Sequence, residues 1–202
     1  MAVIFDTDKA FLHIPKTGGM WVRDLLRVNG IDYDLYAPAE FPETIDAVLI
    51  QENAKHHLAA LPEGIEKKNV FCVLRDPYSW YESFWLFRNH SKKWKWCNKR
   101  RRLDRMLSVN ARIKFQIFIS EMIVLYPRGF LTELYTMYAN LSGTTARIKS
   151  APKVIQRLTG KKIEKIPDPI NVRQGSIEPD SMTIKRVMDW EREALKMVAR
   201  CE

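Results

Sequence analysis

Lys16 stands in the string His13-Ile14-Pro15-Lys16-Thr17-Gly18-Gly19-Met20-Trp21, directly after the apolar run Ala10-Phe11-Leu12. The pattern predicts a strand, a tight glycine turn and the start of a helix. Amides exposed at such a turn and at a helix N-terminus attract anions, and the lysine adds a mobile positive charge. The lysine precedes the glycine pair. A Walker A loop places it after the glycines, and no such string occurs in the chain. A glycine pair alone also marks ordinary turns.

A second element lies in Asn69-Val70-Phe71-Cys72-Val73-Leu74-Arg75-Asp76-Pro77-Tyr78-Ser79-Trp80-Tyr81-Glu82-Ser83-Phe84. Val70–Leu74 is a continuous apolar run rich in β-formers, the signature of a strand buried on both faces. Asp76 followed by Pro77 signals a helix start, with a capping carboxylate and a first-turn proline. Arg75, Ser79 and Ser83 fall on one helical stripe, and Trp80, Phe84 and Phe87 on a separate apolar face. An arginine and a serine converging at a strand's carboxyl end suit a phosphate. The alternative is an arginine that simply pairs with Asp76.

Together the two elements resemble the PAPS-dependent sulfotransferase superfamily (PAPS, 3′-phosphoadenosine 5′-phosphosulfate), in particular its carbohydrate and heparan types. That family's first loop, often written H-I-P-K-T-G-G-T, holds the 5′-phosphosulfate. Its second, R-D-P-Y-x-x-x-x-S, holds the 3′-phosphate. Lys16 matches the family lysine, Arg75 the arginine and Ser83 the serine, and the match runs from Lys9 to about Asn89. The resemblance implies an α/β fold: a P-loop-like three-layer sandwich with a central parallel sheet and a helix-rich C-terminal half. It implies PAPS as donor, adenosine 3′,5′-bisphosphate (PAP) as product, and no metal. Cofactor contacts then fall to Lys16, Thr17, Gly18, Gly19, Met20, Trp21, Arg75, Ser83 and Arg173. One departure concerns Met20 and Trp21, where the family has threonine or serine; backbone amides there can still bind phosphate, but a hydroxyl ligand is missing.

Sulfuryl transfer needs in-line positioning, positive charge at the leaving group, and a base for the acceptor hydroxyl. Lys16 supplies the charge. The chain has four histidines, His13, His56, His57 and His90, of which His13 lies inside the loop motif and reads as structural. His56 and His57 stand in Ala54-Lys55-His56-His57-Leu58-Ala59-Ala60-Leu61, a helix-like stretch between the two loops. Related soluble sulfotransferases often carry a Lys-His pair here whose histidine serves as base, and this analogy picks His56. His57, Glu52 and Glu82 are the alternatives, and a helix histidine is also a common packing residue. Near the C-terminus, Asn171-Val172-Arg173-Gln174-Gly175-Ser176 resembles a family feature close to the nucleotide; Arg173 touches cofactor or acceptor, or pairs with a carboxylate.

Length and composition, 202 residues with 46% hydrophobic, fit one domain spanning 1–202. The cysteines Cys72, Cys97 and Cys201 are scattered, neither a disulfide framework nor a zinc site. Residues 1–9 contain Asp6 and Asp8 and lack a leader's apolar core, and no apolar stretch reaches the roughly 18 residues of a membrane span. The expectation is a soluble, cytoplasmic protein without an anchor.

The net charge of +9 is concentrated in residues 88–105, where Arg88, Lys92, Lys93, Lys95, Lys99, Arg100, Arg101, Arg102 and Arg105 face only Asp104. Trp94 and Trp96 lie among them. Such a run suits an anionic glycan or nucleic acid, or is a solvated connector. Its place after the second loop points to a hydroxyl-bearing, anionic, saccharide-containing acceptor. Two other classes use the same features: a kinase-like nucleotide enzyme, which needs Mg²⁺ ligands that no Walker B-like aspartate supplies, and a nucleic-acid module built on 88–105.

The supporting elements follow. Strands near 10–14 and 70–75 should be adjacent or nearby parallel members of one central sheet with both loops at their carboxyl ends, and a third strand is expected near 45–50. Residues 111–126 read as a largely buried helix, 132–141 as helix or strand, 152–158 as a helix stopped by Gly160, and 163–172 as an extended connection. Residues 181–199 read as one helix after Pro179-Asp180, with Ile184, Val187, Met188, Ala194, Leu195 and Val198 inward.

Overall fold

The computed structural model describes residues 2–36, 60–90, 111–169, 177 and 180–202. Five strands form one sheet: β1 Ala2–Phe5, β2 Lys9–Leu12, β3 Tyr33–Tyr36, β4 Val70–Leu74 and β5 Thr144–Arg147, in the order β3-β1-β2-β4-β5. The helices are α1 Gly19–Val28, α2 Pro77–His90, α3 Ala111–Leu125, α4 Phe130–Leu141, α5 Ala151–Thr159, α6 Ser181–Trp190 and α7 Arg192–Ala199. The chain is therefore α/β.

β2, β4 and β5 are parallel, with Leu12 opposite Cys72 and Cys72 opposite Thr145. β1 pairs antiparallel with both β2 and β3. The sheet is mixed rather than wholly parallel, because residues read only for a missing leader form a strand and a hairpin turn. Asp6 and Thr7 take φ of 50° and 63°, the left-handed turn that suits the twist of paired strands. Lys9 Nζ lies 2.6 Å from Asp8 Oδ1 and 3.6 Å from Asp6 Oδ2 and steadies that turn.

Alternation along the strands feeds two cores. Leu12, Val70, Cys72 and Leu74 pack with Trp80, Tyr81, Phe84, Phe115, Tyr135 and Val187. On the opposite face Phe11, Phe71 and Val73 pack with α1 and α5 through Val22, Leu25, Leu26, Val154 and Ile155. Helices thus cover both sides of β4, and its unbroken apolar run is explained.

The helical half departs from the sequence reading in two places and decides it in a third. α3 buries Phe115, Phe118, Ile119 and Met122, but Ile113, Val124 and Leu125 are exposed, Val124 to 79%, so the helix is two-sided rather than buried. Residues 132–141 are helical, within α4. The single helix expected over 181–199 divides into α6 and α7 at Glu191, which is fully buried. Its carboxylate accepts from Leu131 N at 2.9 Å, Thr132 N at 2.9 Å and Thr132 Oγ1 at 2.8 Å, so it caps α4. Tyr81 donates to it at 2.5 Å. Among the described residues no helix is long and apolar enough to cross a membrane. The strand expected near 45–50, His56, His57, Glu52, the run 91–105 and residues 170–176 with Arg173 lie outside the described residues.

Candidate anion site at the ends of two parallel strands

β2 and β4 are parallel neighbours, so their carboxyl ends open on the same side of the sheet, where ligands of α/β folds collect. The chain leaves β2 through residues 13–18 and leaves β4 through Arg75 and Asp76. Lys16 adopts φ 65°, a left-handed conformation few lysines take, and Gly18 takes φ 102°. The first bond of the α1 ladder is Val22 N–H to Gly18 O at 3.1 Å, so the amides of Gly19, Met20 and Trp21 precede the ladder. No side chain caps this end and no acidic residue stands in its first turn. A positive helix end therefore faces the loop.

Gly19 is required by close approach: a Cβ there would lie 1.9 Å from His13 Cδ2. His13 is buried and stacks on Phe11 with centroids 6.1 Å apart, so this histidine packs beneath the helix start, as expected of a structural residue. Thr17 Oγ1 donates to Ile14 O at 2.9 Å, so its hydroxyl proton is committed inside the loop. Met20 is exposed. The Trp21 indole donates to Pro167 O at 3.0 Å. Asn29 holds the same extended strap, donating to Lys165 O at 2.7 Å and accepting from Glu164 N and Lys165 N at 2.9 Å.

The two loops are stitched together. Arg75 Nη1 donates to Lys16 O at 3.1 Å, and Trp80 Nε1 donates to Pro15 O at 2.7 Å. Arg75 Nε donates to Ser79 Oγ at 2.9 Å, while Ser79 N donates to Asp76 Oδ1 at 2.9 Å and Ser79 Oγ donates to Asp76 Oδ2. Asp76 thus serves as the cap of α2, as its place before Pro77 predicts. Ser79 is the hydroxyl of the stripe that touches the guanidinium; Ser83 lies half-buried one turn further on. Glu82 is buried, with its Oε1 accepting from Ile177 N at 3.2 Å.

Electrostatically the site is a forced meeting of two cations. Burial pushes the Lys16 ammonium down to about 8, and the positive charge of Arg75 adds to the effect. Lys16 Nζ sits 4.0 Å above the centroid of the Phe87 ring. An arrangement of this kind can bind a multiply charged anion and can neutralise charge developing on it. Among the described residues no group of three His, Cys, Asp or Glu side chains could hold a metal ion.

Three contributors escape a reading of the sequence. Tyr135, fully buried on α4, donates to Arg75 O at 2.8 Å and accepts from Arg75 N at 3.3 Å, clamping the end of β4. No local pattern announces it, because the partner is remote in sequence. The Trp80 indole belongs by spacing to the apolar face, yet its Nε1 bonds the Pro15 carbonyl. Phe87 belongs by spacing to the same face with Trp80 and Phe84, yet it is 46% exposed and lies under Lys16. Its spacing of four from Ser83 is the signal that would have placed it on the stripe facing the site.

A scan against protein-family models returns no match, and searches of curated proteins and of solved structures return none either.

Proposed function

We propose that the protein transfers a sulfonate group from PAPS to an acceptor hydroxyl by in-line displacement on a P-loop-like sandwich, without a metal. One observation carries this reading. Lys16 and Arg75, the residues matching the family's two phosphate positions, meet at the carboxyl ends of adjacent parallel strands, joined by the Arg75 Nη1 to Lys16 O bond of 3.1 Å. A nucleotide with phosphate groups at two ends of its ribose needs two such loops side by side.

PAPS, when bound, supplies a sulfonate on a phosphate leaving group. The chain's own residues do the rest. The amides of Gly18, Gly19, Met20 and Trp21 and the Lys16 ammonium hold the 5′ end, and Arg75 with its hydroxyl partner holds the 3′-phosphate. Lys16 neutralises the charge that gathers on the bridging oxygen as its bond to sulfur breaks. His56, assigned on the resemblance, takes the acceptor's proton as the acceptor oxygen bonds to sulfur. Arg173 adds a nucleotide or acceptor contact. The basic run 88–105 receives an anionic, saccharide-containing acceptor, a reading that fits its nine cations.

The experiment is calorimetric binding of PAP, followed by a mass-spectrometric screen of hydroxyl acceptors with PAPS. PAP binding and a sulfonated product are expected, and His56→Ala should lower turnover roughly 10²–10⁴-fold. Preference for ATP with Mg²⁺ over PAP transfers the protein to the kinase-like class. Strongly salt-dependent duplex binding that PAP does not affect transfers it to nucleic-acid recognition.

A further inference from the structure

Lys16 and Phe87 are brought together by different elements, the loop after β2 and the last turn of α2. The ammonium stands over the ring face at 4.0 Å from its centroid, well within the range of cation–π attraction. Two features make this contact more than packing. Phe87 is half-exposed, whereas Trp80, Tyr81, Phe84 and Trp85 on the same helix are buried in the core. Lys16 is also in a left-handed backbone conformation, which directs its side chain from a position few lysines occupy.

We propose that Phe87 is the positioning residue of Lys16: its ring holds the ammonium at the mouth of the site until an anion takes the charge over. The inference rests on the anion-site reading of Lys16 but not on the identity of the donor. The surrounding groups are consistent with it. Arg75, from the end of β4, repels the ammonium, and burial disfavours its charge. On α2, the Asp76 carboxylate is engaged by Ser79 and the Glu82 carboxylate by Ile177 N. An aromatic face offers the lysine partial compensation without a competing carboxylate, which would have to be displaced by every incoming anion.

The test is made on the whole protein with isotope-labelled lysine, reading the Lys16 side-chain resonances by NMR, first free and then with inorganic pyrophosphate. In the free protein the Lys16 Cε protons should be shifted upfield by the ring, and pyrophosphate should abolish that shift. Phe87→Tyr should keep the upfield shift and a titration midpoint close to that of the wild type. Phe87→Leu, which keeps apolar cover but loses the ring face, should lose the shift and titrate about half a pH unit lower. An absent ring shift, a shift that pyrophosphate leaves unchanged, or a Leu variant titrating at or above the wild-type midpoint overturns the inference. If PAP fails to bind while the pyrophosphate and ring-shift results hold, the donor assignment fails and the role of Phe87 stands.

Discussion

The Lys16 ammonium ties anion affinity to pH in a way that can be worked out from the site. In the free protein its pKa lies near 8, lowered first by burial and then by Arg75. A bound anion favours the charged form and draws the pKa back up towards the ordinary value near 10.5. Below about pH 8 the lysine is already charged and affinity is flat. Above it one proton must be taken up on binding, so the apparent Kd should rise about tenfold per pH unit. Full restoration gives a ceiling of about 300-fold between pH 8 and pH 10.5, which screening at this half-buried site will reduce. The stability of the free protein should respond with the opposite sign. The unfolded chain keeps the Lys16 proton to higher pH than the folded one, so the lysine's unfavourable contribution, full below about 8, is relieved as pH rises towards 10.5. Calorimetry of PAP or pyrophosphate from about pH 7 upward, at constant ionic strength and in two buffers of different ionisation enthalpy, measures both slope and proton uptake. Lys16→Arg, which keeps a charge that does not titrate in this range, should flatten the profile. A flat wild-type profile, or an Arg variant retaining the slope, refutes the assignment.

Arg75→Ala should weaken PAP by about 1.5–3 kcal/mol while affecting the analogue without the 3′-phosphate far less, and Ser79→Ala should reproduce more of that loss than Ser83→Ala; competition binding with the two nucleotides decides it. Gly19→Ala should destabilise by about 1–3 kcal/mol through collision with His13, and His13→Ala in the same chain should recover part of the loss, as read by a double-mutant cycle in urea. Glu191→Ala should cost about 3–5 kcal/mol in chemical denaturation, because it strips the cap from α4 and leaves the buried Tyr81 hydroxyl without its acceptor, whereas Glu191→Gln should cost less.

The parts of the fold that position the site were legible because they rest on strong local signals. Val70–Leu74 is apolar at every position, as a strand covered by helices on both sides must be, and Asp76-Pro77 fixes where α2 begins. Such signals also placed Lys16 and Arg75 at the same end of the sheet. What escaped has no local signature. The β1–β2 turn uses Asp6 and Thr7 in left-handed conformations where a glycine or asparagine would have announced it. β3 and β5 are four residues each, too short for alternation to be distinguished from chance. The break between α6 and α7 turns on Glu191, a charged residue on the buried stripe, whose reason lies in the distant start of α4. Tyr135 is the same case at the site itself.

Clamps of this kind explain how two like charges are kept adjacent. Left to themselves, Lys16 and Arg75 would separate into water, since burial and mutual repulsion both disfavour the pair. Neutral groups hold Arg75: Tyr135 its main chain, Ser79 Oγ and Lys16 O its guanidinium. The Pro15 carbonyl is held by Trp80, and the Lys16 ammonium by an aromatic face. Neutral donors, acceptors and rings fix geometry without cancelling charge. Asp76, next to Arg75 in the chain, caps α2 through Ser79. Preorganised positive charge at a helix start is what stabilisation of a developing anion demands, and in the proposed reaction Lys16, Arg75 and the start of α1 would supply it.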